Sequence, residues 1–285
     1  MFKKSRKRGE RMSEQYAALI VDLRDSRKLS ASARQDAQGE LARGIARANA
    51  LFATSIEKPL MFSAGDEAQG LFRDAPSAFL AFRLISIFMI SARIRGGIGV
   101  GGWETRMDVE LSTEQDGTAF HRARAAIADV KKDKLSYLRV RGADGVLWST
   151  AVASDLCLNL SESWNQRQRV LGQAVEALLP FVYTASAMPS GVEDVDVASW
   201  PVECLTCSDG SAEKLGQYRA MGVGGNVEIS VEAIDLGMRG ISYKLAEMLG
   251  RSRQGIDRSL SNSNIQLERR AAAFTVSALA REAGQ

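Results

Sequence analysis

The chain is poor in the residues that most often bind metals or form cross-links: of 285 residues, one is histidine (His121) and three are cysteine. An odd number of cysteines cannot close an even set of disulfides, which fits a reducing compartment. Cys204 and Cys207 stand at CxxC spacing, but no second CxxC or histidine pair accompanies them, so a tetrahedral zinc site lacks ligands. A bilayer-spanning run is also missing. The apolar stretch AFLAFRLISIFMISA (78–92) is interrupted by Arg83 and too short to cross a membrane, and it reads as a core-packed helix. The basic start is followed by SEQY rather than an apolar segment, so it does not read as a signal peptide. The expectation is a cytoplasmic protein with no membrane partner.

What is present is ordinary for a folded chain with a real core: 45% hydrophobic and 25% charged residues. The net charge of +3 is concentrated in a basic tail, MFKKSRKRGER, and the rest is close to neutral, so overall charge says little about partners. Residues 1–15 are read as this tail.

YAALIVDL (16–23) is a short buried-strand run, and residues 30–52 form a long helix with Ser30 as its cap. KPLMFSAGDEAQGLF alternates across a turn like a hairpin, and the 78–92 helix follows. RIRGGIGVGGWET (93–105) is a strand whose glycines call for close backbone approach, residues 116–133 turn into a helix, and LSYLRVRGADGVLWST is a second hairpin. This order, β-α-ββ-α-β-α-β, predicts an α+β fold: a palm-like (ferredoxin-like) antiparallel sheet with helices on one face, spanning 16–155. Residues 156–187 are expected as a helical connector. The Pro-, Gly-, Ser- and acid-rich stretch 188–235 is read as an insertion or linker, and 236–285 as a mostly α-helical end.

In that end, Ile241, Leu245 and Leu249 recur at helical spacing, Gly250 permits a left-handed turn, and Ser252 caps a second helix containing Ile256 and Leu260. Such a pair fits a helix-turn-helix in which the second helix enters the major groove of double-stranded DNA. Ser252, Arg253, Gln254, Asp257 and Arg258 form the N-terminal exposed face of that helix. The serine and arginines suit phosphate or guanine, and Gln254 suits adenine. A plain two-helix packing unit with solvated arginines is the alternative. Arg269, Arg270 and Arg281 on the last helix are expected to be solvated or to flank the DNA backbone.

Two acids invite a metal reading. Asp22 closes the first strand, and Asp66 sits at the tip of the next hairpin, so pairing of the two elements would bring the carboxylates together, as a Mg²⁺ site requires. Each is equally an ordinary strand-end or turn residue.

LIVDLRDS, GDEAQGLF, RIRGGIGVGG and DGTAFHRARAAI resemble, in order and spacing, the class III nucleotide cyclase fold, and more closely the SatD family. The resemblance covers about residues 16–130. It implies a cyclase-like palm that works as a homodimer, a C-terminal helix-turn-helix, Mg²⁺ held by Asp22 and Asp66, and a nucleotide ligand met by Arg95, Gly97, Gly99, His121 and Arg124. The chain departs from the cyclase pattern. MFSA replaces the stretch with a base-reading lysine, His121 holds the position of a ribose-orienting asparagine, and Ala125 that of an arginine. Arg124 lies one residue away from it, about 100° around a helix. Together these features imply a homodimeric DNA-binding regulator on a palindromic site whose palm senses a nucleotide. An active Mg²⁺-dependent cyclase or nucleotidyltransferase and a palm that only dimerises stand as alternatives.

Overall fold

The computed structural model describes residues 15–104, 116–184, 192–193, 220–224, 238 and 240–282. The basic tail, Cys204 and Cys207, and most of 188–235 lie outside them. Elements run β1 (Tyr16–Leu23), α1 (Ala31–Leu51), β2 (Ile56–Ala64), β3 (Glu67–Phe72), α2 (Ala75–Phe88), β4 (Ile94–Gly101), α3 (Thr118–Lys132), β5 (Leu138–Gly142) and β6 (Gly145–Val146). Next come α4 (Trp148–Glu162), α5 (Gln166–Leu178), β7 (Phe181–Thr184), β8 (Val192–Glu193), β9 (Ala220–Gly224), α6 (Ile241–Leu249), α7 (Arg253–Ser261) and α8 (Ile265–Glu282). β1 to β6 form one sheet in the order β2-β3-β1-β4-β5-β6, antiparallel throughout except for the parallel β4–β5 pair. β7, β9 and β8 form a small second sheet. The fold is α+β, with a helical C-terminal region.

Local chemistry explains the helix starts. Ser30 accepts a hydrogen bond from the Ala33 amide, and Asp74 accepts one from the Ser77 amide at 2.6 Å, each satisfying a first-turn donor. The helical connector expected at 156–187 is instead the end of α4, then α5 and the strand β7. The first of these helices breaks after Glu162, where Asn165 and Gln168 form a reciprocal capping box that restarts the chain as α5.

The sheet carries helices on both faces, not one. On β1, Ala17, Leu19, Val21 and Leu23 join the main core with α1 and α2, whereas Ala18 and Ile20 face the opposite side and pack on α3. The glycine strand is the cause. A Cβ on Gly99 would lie 2.1 Å from the Ala119 carbonyl oxygen, and one on Gly97 2.4 Å from that of Ala123, so a bare strand is what lets α3 lie against β4.

The expected division near residue 155 falls inside α4. One apolar cluster runs from Leu19 on β1 through Phe82 on α2 to Val175 on α5 and Val276 on α8. At its centre sits a buried charge cluster. Arg83 on α2 donates to both carboxylate oxygens of Glu176 on α5, at 2.8 and 3.0 Å, and to both of Glu268 on α8, at 2.5 and 2.6 Å. Arg269 bonds Glu176 and the Leu179 carbonyl, and its guanidinium lies 3.8 Å from the centroid of the Phe181 ring. Arg269 is therefore fully buried, contrary to the solvated position expected for it, because Glu176 and Phe181 supply the charge and the aromatic face it needs. Burial first, then the neighbouring Glu268, pushes the Cys157 thiol well above its ordinary range, and its Sγ lies 3.3 Å from Glu268 Oε1.

Candidate functional site

β1 ends at an open cleft of about 560 Å³. Register places Asp22 opposite Glu67 on β3 and opposite Arg95 on β4. Asp66 belongs to the β2–β3 tip, where Gly65 adopts φ 58°, and its carbonyl accepts a hydrogen bond from the Leu23 amide at 3.3 Å. That bond ties the tip to the end of β1, so Asp22 and Asp66 line one cleft. Asp25 and Glu67 add two further acids, and Arg27, Lys28, Arg95 and Lys131 supply four cations, which makes the lining balanced in formal charge. Asp25 is the one non-glycine residue with positive φ (55°) among the described residues, and it opens a single 3-10 turn over Ser26–Lys28. A hydrogen bond and the charge of Lys28 hold its carboxyl below its ordinary pKa.

Asp22 is nearly buried, and its Oδ2 is surrounded by cations: Arg95 Nε at 3.0 Å, Arg95 Nη2 at 2.9 Å and Lys131 Nζ at 3.0 Å. Mg²⁺ demands close oxygen ligands in near-octahedral order. Among the described residues, no three His, Cys, Asp or Glu side chains stand together to hold a metal ion. Asp22 and Asp66 line the same cleft, but the charge that Asp22 would offer a divalent ion is already matched by two side chains of the protein. The residues as arranged do not fit a divalent cation.

The five residues expected at a nucleotide are dispersed. Arg95 lines the cleft. Gly97 and Gly99 do not reach it, because the surface they would offer is filled by the α3 backbone. His121 is exposed in the first turn of α3, with Nε2 3.2 Å from Asp116 Oδ1, and ten residues of helix, about 15 Å, separate it from Lys131. Arg124 donates to Gln69 Oε1 at 3.1 Å and lies 3.6 Å from Glu67 Oε1, one residue removed from the cleft lining. Lys131, Arg27 and Lys28 were not singled out from sequence. For Lys131 a signal exists: it follows Arg124 by seven residues and so shares its helix face.

The α6–α7 pair forms as its sequence predicts. Gly250 takes φ 59° at the end of α6, and Ser252 caps α7 by accepting from the Gly255 amide at 3.2 Å. Leu245 and Ile256 are wholly buried. Ser252, Arg253, Gln254, Asp257 and Arg258 are all exposed, with Arg253 Nε 3.8 Å from Asp257 Oδ2. No helix among the described residues is long and apolar enough to cross a membrane.

Residues 16–143 match the SatD family by its family model. Among solved structures, a bacterial light-regulated adenylyl cyclase is similar at 11% identity and a TM-score of 0.31, over 45% of this chain and 42% of that one. This chain therefore spans under half the length of that cyclase. No curated protein matches the chain.

Proposed function

We propose that this protein is a DNA-binding transcriptional regulator, acting as a homodimer, whose α+β body senses a nucleotide in the Asp22 cleft and whose α6–α7 pair reads the major groove. The exposed face of α7 carries the proposal. Ile256 is buried against the body while Ser252, Arg253 and Gln254 stand in solvent at the helix N-terminus, the end that meets base edges and phosphates in helix-turn-helix proteins, and Arg258 is exposed in the last turn. Proteins of that kind commonly bind two-fold sites as dimers. For the sensor half, Lys131, Arg27 and Lys28 offer a phosphate its counter-charges, and about 560 Å³ is within the usual range of small-molecule sites.

The test is selection of binding sequences from a randomised duplex pool, followed by anisotropy titrations on the selected duplex at several salt concentrations. Arg258→Ala is expected to weaken binding by about 1–3 kcal/mol if the arginine meets a base, or to lower the salt slope by about one if it meets a phosphate. A protein that selects no sequence, or an Arg253→Ala/Arg258→Ala variant that binds as wild type, would refute the DNA-binding reading.

A further inference from the structure

We infer that Lys131 and Arg95 stand permanently where a divalent cation would otherwise lie, so that the Asp22 cleft takes its phosphate-bearing ligand without a metal ion. The second clause rests on the nucleotide reading above; the first stands on the side chains alone. Asp22 brings one negative charge to Oδ2, and Arg95 and Lys131 bring two positive charges within 3.0 Å of it. A divalent ion approaching that oxygen meets a net repulsion, which is strengthened by the low exposure of Asp22. Arg95 is anchored from strand β4, directly opposite Asp22 in the register, and two of its nitrogens converge on the same oxygen. Lys131 arrives from the last turn of α3 and remains 42% exposed, so its ammonium, with three donors, faces both the carboxylate and the open cleft. A divalent ion would supply the same kind of counter-charge between carboxylate and phosphate. Here the bridge is an amine on the protein's own chain, and recognition falls to charge-assisted hydrogen bonds.

The experiment titrates Mn²⁺, as a spectroscopic probe for divalent ions, into the full-length protein and reads the free ion by electron paramagnetic resonance. Wild type and Lys131→Arg, which keeps the charge, are expected to leave Mn²⁺ free up to millimolar concentration. Lys131→Met is expected to bind Mn²⁺ about tenfold or more tightly than wild type, and Lys131→Met/Asp22→Asn is expected to lose that gain. Mn²⁺ binding by wild type that disappears in Asp22→Asn would overturn the inference, as would a Lys131→Met protein that gains nothing. In parallel, inorganic pyrophosphate is titrated by calorimetry with EDTA present. Binding in EDTA, weakened in Lys131→Met, supports metal-free recognition, and binding only after Mg²⁺ is added overturns it. No pyrophosphate binding in either condition, with the manganese result as expected, would remove the nucleotide reading and leave the internal cation standing.

Discussion

A methyl group placed on Gly99 would lie 2.1 Å from the Ala119 carbonyl oxygen and 2.2 Å from the Ala123 amide nitrogen, both backbone atoms of α3. A side chain in the way can change rotamer, but a helix backbone cannot, so α3 must lift from β4. Overpacking of a well-filled core costs about 1–3 kcal/mol, and Gly99→Ala is expected at or above the upper end of that range in urea denaturation. Gly102→Ala is the control. Its nearest neighbour would be Thr118 Oγ1 at 3.7 Å, ordinary contact, and its midpoint should stay close to wild type. A Gly99→Ala protein as stable as wild type would mean that α3 is not seated on this strand. The glycine pattern announced in the sequence that something approaches β4 closely. It did not say what. A cyclase-like reading put a nucleotide there, whereas Ala119 and Ala123, some twenty residues downstream, put a helix there. At the same scale Asp22 and Asp66 were legible as neighbours, because a strand end and a hairpin tip can be paired from local pattern. Lys131 beside Asp22 was not, since their contact depends on where α3 docks.

At the scale of elements, α2, α5 and α8 are joined by charges that the sequence disguised. Arg83 stood out within an apolar run, but its partners lie 93 and 185 positions away. Arg269 sits beside Arg270 in a stretch that reads as a solvated face, and only the docking of α8 on α4 and α2 places it inside, within reach of Glu176. By contrast, α6 and α7 were legible to the residue, because Gly250 and Ser252 act through their own backbones and need no distant partner. Burial by itself would raise the Glu176 carboxyl, but the charges of Arg269 and Arg83 outweigh it and hold its pKa below the ordinary value of 4.5. The unfolded chain then binds the proton more readily than the folded one. Glu176 thus contributes stability that is present above about pH 4.5 and is lost as the pH falls through its lowered folded value. Glu176→Gln leaves two buried guanidinium groups short of one counter-charge and is expected to cost about 3–5 kcal/mol at pH 7. Stability measured from pH 3 to 7 should decline less steeply on the acid side in the variant than in wild type. An identical acid slope in the two proteins would show that Glu176 does not carry its charge in the folded state.

For the whole molecule, the question is where it can be cut. The family match ends at residue 143, and the pattern of elements suggests a palm ending near 155. The compositional change at 188–235 looks like a linker between independent parts, and a linker reading treats the chain on either side as separate. The packing joins the two sides: α5 precedes that stretch, α8 follows it, and both meet α2 at the buried charges. A fragment ending at Ser163 would keep the six-stranded sheet and α4 but lose Glu176 and Glu268, leaving the guanidinium of Arg83, 1% exposed in the intact protein, with no counter-charge and one flank of α2 bare. The bared flank loses the apolar cover of α5 and α8, and burial of each large apolar side chain is worth about 1.5–3 kcal/mol, so losing several is comparable to the 5–15 kcal/mol that holds a typical domain together. The fragment is therefore expected to lack a cooperative thermal transition and to be cut by protease within α2. Replacing Arg83 by Met in the fragment adds to the exposed apolar flank and is expected not to restore the transition. A wild-type fragment that melts cooperatively with native helix content would establish the sheet as an autonomous domain. In the intact chain, α6 and α7 touch α5 directly, and the Gln168 side chain on α5 donates to the Asn262 carbonyl at 3.3 Å. Because α5 also carries Glu176, any shift of α2 that follows occupation of the sheet has a continuous, densely packed route to the helix proposed to read DNA.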